Sequence, residues 1–335
     1  MKDKICVLPR VHGIGGMVSF LHKFTEGAEK RGVTITQNPD EDCAAMLIIG
    51  GTRDLGSILR FKRKGKKIVQ RLDGINWIHR IRPVDLRHTL RSEYGNWVLS
   101  VIRKTFADEI IYQSDFSKNW WNHQYGKIET PATTIYNGVN LQQYAPSENP
   151  LSPPYRLLVV EGSMGGGYES GLENAVGLAN GLADRGHQIE LQVVGEVSAS
   201  LREEWQQKAK VTVEWAGSVK REQIPQIDRG AHLLFSADIH PACPNSVLEA
   251  LACGLPVVSF NTGSLAELVT PDCGSIVDYG ADSWKLEKPM INNLVIGAEA
   301  VLKDWTKYSQ FARERAMSKF GLDHMVEAYL KVILG

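Results

Sequence analysis

The 335-residue sequence predicts an α/β protein of two doubly wound, Rossmann-like domains facing a central cleft. Three observations carry that expectation. Short apolar runs alternate with longer amphipathic ones along the whole chain, as parallel strands covered by helices on both faces require. A proline-rich stretch at 137–154 interrupts the alternation near the middle. The length and the 43% apolar content suffice for two cores.

In order along the chain, strands are expected at 5–9, 46–50, 67–71, 109–113 and 133–136, with helices near 16–31, 55–62, 86–104 and 117–124. Asn137-Gly138 and Pro146, Pro150, Pro153 and Pro154 then mark turns and a stiff extended connection, the interdomain linker. A second set of strands follows at 155–161, 188–194, 211–215, 231–235 and 256–260, with helices at 172–185 and 244–253. Residues 298–334 are helical in pattern. The domains are set at 1–145 and 146–310, with 311–335 a C-terminal helix placed to pack back on the first. Open sheets of this kind bind ligands beyond the C-terminal ends of their strands, which suits a two-substrate reaction.

Composition narrows the function classes. Lys plus Arg and Asp plus Glu both number 38, which argues against a nucleic-acid partner. The balance hides an asymmetry: residues 1–140 hold 22 basic against 14 acidic groups, and residues 141–335 hold 16 against 24. Five cysteines, without CxxC spacing, read as buried thiols of a reducing compartment. No run resembles a signal-peptide core or a membrane span, so a cytoplasmic location is expected. The basic run 62–67 with Arg80, Arg82, Arg87 and Arg91 has three readings: a solvated helix end, a peripheral contact with an anionic inner-membrane surface or lipid-diphosphate acceptor, or docking to the acidic half.

The stretch HPACPNSVLEALACGLPVVSFNTGSLAELV, 240–269, carries the most chemistry. Pro244 suits the first helical position, leaving the amides of Asn245 and Ser246 aimed at an anion, with Val247 next in the same turn. Glu249, about one turn later, can accept two hydrogen bonds from vicinal hydroxyls such as a ribose presents. Gly254-Leu255-Pro256 ends the helix and starts the next strand.

This stretch resembles the donor-binding signature of the retaining family-four glycosyltransferases of GT-B architecture, in which two glutamates eight positions apart flank a Pro-Asn helix start. TTIYNGVNLQQYAP (133–146) is similar to the family's interdomain connection, and LQVVGE (191–196) and VEWAGSV (213–219) follow in the expected order. The resemblance implies a nucleotide-sugar donor on the second domain, with Glu249 on the ribose and Gly195 and Gly217 near the base. It further implies a glycan, lipid-linked or small-molecule acceptor on the first domain, and transfer with retention.

Two departures accompany it. The family's first glutamate falls on Pro241, which leaves Asp238 or His240 to supply the sugar contact. In EGSMGGGYESG, 161–171, the family's diphosphate Arg and Lys are replaced by Ser163 and Glu169. Gly162, Ser163, Gly165, Gly166 and Gly167 offer backbone amides to phosphate instead, the alternative being a ligand-free glycine turn.

At the N-terminus, RVHGIGGMVSFLHKF lacks the spacing of a dinucleotide fingerprint. The resemblance makes Gly15 and Gly16 a loop over phosphate or acceptor, and Arg71 or Arg10 is expected to replace the missing diphosphate cations from the opposite domain. Asp73 ends the strand 67–71, where the family often has a histidine; an acceptor contact and an Asx-turn are equal readings. Asp40-Glu41-Asp42 has the DxD form but follows Asn38-Pro39 in a loop and reads as a solvated charge cluster, so no obligatory metal or other cofactor is expected.

The catalytic candidates are therefore Asp73, His240 and Glu249. Two alternatives stay open. Pro241 and the missing Arg/Lys pair favour a catalytically silent relative that binds a nucleotide, glycan or protein, and a nucleotide-sugar epimerase would use the same architecture.

Overall fold

The computed structural model describes residues 3–13, 15–82, 85–147, 152–165 and 169–335. The chain forms two compact units, Met1–Gly138 with Leu322–Gly335, and Val139–Gly321.

The first unit is one parallel sheet of β1 (Lys4–Leu8), β2 (Thr34–Thr36), β3 (Ala45–Ile49), β4 (Lys67–Leu72), β5 (Glu109–Tyr112) and β6 (Ala132–Thr134), in the order β2-β1-β3-β4-β5-β6. Helices α1 (Gly16–Lys30), α2 (Leu55–Arg63), α3 (Leu86–Val101) and α4 (Asp115–Tyr125) connect the strands. Strand periodicity divides the side chains between two faces: Ile5 and Val7 pack with Phe20 and Phe24 of α1, and Cys6 and Leu8 pack with Ile58 and Phe61 of α2.

The C-terminal helix, Leu322–Leu334, completes the first face. Its Tyr329 ring lies 5.0 Å from Phe20 and 5.7 Å from Phe24. Gly27 permits the approach, since a Cβ there would come within 2.5 Å of Val326. Arg31 pairs with Asp323 and Glu327 on the rim, each at 2.9 Å.

The second unit is a parallel sheet of β7 (Tyr155–Ser163), β8 (Ile189–Glu196), β9 (Thr212–Gly217), β10 (Leu233–Phe235), β11 (Val257–Phe260) and β12 (Gly274–Val277), ordered β12-β11-β10-β7-β8-β9. It carries α5 (Glu169–Asp184), α6 (Ala199–Lys208), α7 (Ile224–Arg229), α8 (Asn245–Ala252), α9 (Leu265–Leu268), α10 (Ile291–Lys303) and α11 (Trp305–Lys319). The chain enters at β7, builds outward to β9, then returns to the other side at β10, so the winding reverses between β7 and β10. Such a reversal splays the loops at the strand ends and opens a crevice.

The expected strands are present within a few residues, and two short ones are added. β2 has only three residues, and β12 begins with glycine, so neither has enough alternating apolar positions to stand out. The unit boundary lies between Gly138 and Val139, against 145/146 from sequence, and again between Gly321 and Leu322, against 310/311. Arg313 of α11 explains both differences by donating to the carbonyls of Leu141, Tyr144 and Ala252 at 2.7–3.0 Å.

Candidate functional site

At the reversal point, β7 ends in Glu161-Gly162-Ser163 and β10 leads into Ser236-Ala237-Asp238. Glu161, Ser163, Met164, Ala237 and Asp238 line a cavity of about 140 Å³. Burial raises the pKa of both carboxyls, and the charge of Asp238 raises Glu161 further. Two acids coupled in this way titrate as a pair and hold a proton above the usual carboxylate range. Sequence reasoning named Asp238 as a substitute contact but missed Glu161. An acidic residue closing a buried strand is the signal that could have found it.

A wider groove of about 770 Å³ adjoins this end of the sheet, sharing Ser163 and lined also by Gly165, Glu169, Glu196, Ser198, Arg202 and Ser218. Its volume is that of a small-molecule site. Gly195, with φ +137°, brings β8 so close to β7 that a Cβ would lie 2.1 Å from the Glu161 carbonyl oxygen. Gly217, with φ +65°, turns the chain out of β9 beside Ser218. Both glycines sit next to rim residues, Glu196 and Ser218, and Gly195 is demanded by strand packing. The Ser163 hydroxyl accepts from the Gly165 amide at 3.3 Å and stabilises the turn. Gly162 has open space around it, and Gly166 and Gly167 lie outside the described residues.

The next strand end presents α8. Pro244 is its N-cap, with φ −69° and ψ 123°, one residue earlier than the expected first helical position, because its backbone is still extended. No side chain caps the helix, and Asn245 and Ser246 are half-buried at its start. Val247 is fully buried, so its side chain serves the core and not a ligand surface, a correction to the sequence assignment.

Glu249 is 8% exposed and lines neither cavity. Its charge helps raise the pKa of Tyr144, Asp228 and Cys253, all of them buried.

His240 is buried with φ +59°, and its ring stacks on Trp284 at 3.6 Å and 9°. Burial lowers its pKa to about 4, so the imidazole is neutral near pH 7. Pro241 is wedged against the turn at Gly263, whose φ is +60° and where a Cβ would come within 2.5 Å of the proline ring. The Pro241 carbonyl accepts from Ser264 at 2.9 Å. The position that holds an acid in the resemblance is therefore filled by packing.

In the first unit, Gly15 caps α1 with φ 142° and Gly16 begins it, both with open space around them. Arg71 departs from its expected role. It is 2% exposed, with its guanidinium 4.1 Å over the Phe20 ring and an Nη2 bond to Asn137 Oδ1 at 2.9 Å, so its charge is engaged inside the unit and not offered to phosphate. Asp73 follows β4, and its carbonyl accepts from Ser117 Oγ and Trp121 Nε1, both at 2.8 Å. Burial raises its carboxyl pKa, opposed by Arg71. Asp40-Glu41-Asp42 is drawn into ion pairs with Arg60, Lys4 and Lys66 respectively, as a surface charge cluster.

Residues 156–288 match the model of a family described as glycosyl transferases group 1. No curated protein matches the chain. Solved structures align over nearly its whole length at low identity. Sucrose-phosphate synthase from Thermosynechococcus elongatus superposes with a TM-score of 0.74 at 14% identity, over 98% of each chain. Anabaena HepE, solved with UDP-glucose, gives 0.69 at 16% identity, over 98% of this chain and 99% of that one. A mutant of S. aureus TarM, solved with fondaparinux, alpha-GlcNAc-glycerol and UDP, gives 0.62 at 13% identity, over 93% of this chain and 58% of that one.

Proposed function

We propose that this chain, a GT-B protein whose residues 156–288 match the glycosyl transferases group 1, transfers a sugar from a nucleotide donor held by its second unit to an acceptor. One coincidence carries the reading. The segment that matches the family, 156–288, holds the winding reversal, the groove beyond β7, β8 and β9, and the amide-rich start of α8.

In this reading the base lies along the rim made by Glu196 and Ser218, and the diphosphate lies near the amides after Ser163 and at the start of α8. Glu249, 8% exposed, bonds the ribose hydroxyls. HepE and TarM, solved with UDP or UDP-glucose, support a uridine donor. The acceptor is assigned to the first unit, at Gly15, Gly16 and Asp73, and is a glycan or a lipid-linked or small molecule. Catalysis then consists of positioning and of stabilising charge as the diphosphate departs. Retention of configuration and independence from metal belong to the same reading, and turnover is expected to persist in EDTA.

Calorimetry against a panel of nucleotide sugars, with mass spectrometry of products made from mixed acceptors, tests the proposal. Binding of one donor class is expected, and binding of none overturns it. Glu249→Ala is expected to weaken donor binding about 10- to 100-fold, the loss of a charge-assisted bidentate contact.

The acid-lined cavity and the wedged Pro241 favour a second reading, a nucleotide- or glycan-binding module without turnover. Donor binding that yields no product with any acceptor would select it.

A further inference from the structure

Helix α3 of the first unit carries an apolar stripe that its own unit leaves uncovered. Leu86, Leu90, Tyr94 and Trp97 are 69%, 62%, 48% and 56% exposed. Their spacing of four, four and three residues keeps them on one side of the helix over about 16 Å. Single exposed apolar side chains are ordinary, but four in register form a surface. Tyr94 and Trp97 stack at 6.0 Å, so the aromatic end of the stripe is preorganised.

The charges around it are mostly basic, with Asp85, the exposed N-cap of α3, the acid at its start. Arg87 and Arg91 follow Leu86 and Leu90 directly, are exposed, and make no ion pair among the described residues. Arg53 places its guanidinium 5.6 Å over the Tyr94 ring. The acid within α3, Glu93, is occupied: it accepts from Arg80 at 2.6 and 2.9 Å and bonds His79 at 2.8 Å. An apolar stripe ending in Trp and Tyr and bordered by arginines is the pattern of a helix lying in a lipid interface.

We propose that this face of α3 docks on an anionic lipid bilayer, with Leu86, Leu90, Tyr94 and Trp97 entering the headgroup boundary and Arg53, Arg87 and Arg91 on lipid phosphates. Charge selects this occupant over a second copy of the chain. A two-fold contact would bring the same patch against itself and set arginine against arginine, whereas an anionic surface satisfies all three. The proposal rests on no part of the glycosyltransfer reading, and its test uses no donor.

The full chain is sedimented with vesicles of equal parts phosphatidylglycerol and phosphatidylcholine, and with phosphatidylcholine alone. Binding to the first at low salt and little to the second is expected. Arg87→Ser with Arg91→Ser should weaken binding about thirty-fold, since each basic group near the surface contributes about five-fold. Leu90→Glu and Trp97→Ser should abolish it, with unchanged thermal melts because the positions are exposed. Lys62→Ser with Lys64→Ser, on α2 and just beyond it, serves as the control for general charge and should have a smaller effect than the arginine pair. Absence of binding to the anionic vesicles overturns the proposal, as does binding that the control pair weakens as much as the α3 variants do. Light scattering that shows a dimer lost in Leu90→Glu also overturns it, by making the face a self-association surface.

Discussion

Glu161 and Asp238 share a cavity of about 140 Å³ in which a fully ionised pair would face no cation among the lining residues. Both carboxyls have folded pKa values raised by burial, whereas in an unfolded chain they ionise near pH 4. Between those limits the folded state holds more protons, so stability contributed by the pair is full below the unfolded pKa and falls as pH rises through the folded one. Glu161→Gln or Asp238→Asn should therefore raise the melting temperature relative to the parent at pH 8 and not at pH 4. His232 and His240, pushed down to about 4 by burial, act in the opposite sense, losing stability as pH falls below about 6.5. Comparing parent with variant at each pH removes that background. At the same scale, residue type in the sequence was informative where local backbone geometry decides, as at Gly217 and the Pro244 start of α8. It was not informative for Arg71 and Val247, because whether a strand-end arginine or a helical valine meets ligand or core depends on which helix covers it.

Among the elements, α11 does more than its pattern indicated. The Arg313 guanidinium satisfies three carbonyls, two of them on the segment after Val139 and one at the end of α8. Arg313→Ala leaves those acceptors without their donor and should cost about 2–4 kcal/mol, read as a lower urea midpoint; Arg313→Lys should recover only part, lacking the planar fork. Element existence was legible wherever an apolar period ran long enough, as in β7, β8 and α5. β2 and β12 escaped because they have three and four residues. For α3 the sequence showed the basic residues, but a helical period alone could not say that Leu86, Leu90, Tyr94 and Trp97 would be left outside.

For the molecule as a whole, the chain crosses between its units twice, at Gly138 and at Gly321. The second crossing gives the first unit a helix it cannot replace locally: Met325, Val326, Tyr329 and Ile333 are buried against Phe20, Phe24 and the sheet. Deleting 322–335 should expose that face and unfold the first unit while leaving the second intact. Limited proteolysis is expected to yield a resistant fragment that begins near residue 139 and ends at the truncation, and heating should show the second unit's transition alone.

By itself the sequence determined the double winding of the two sheets and the number of units, because these follow from apolar periodicity and from the backbone demands of glycine and proline. Tertiary structure alone decided which strand-end charges line a cavity. Arg71 is enclosed under Phe20, and Glu249 is nearly enclosed, whereas Glu161 and Asp238, far apart in the chain, meet over a cavity at the winding reversal. Burial is a property of what packs around a residue, and the sequence pattern of one element does not contain its neighbours.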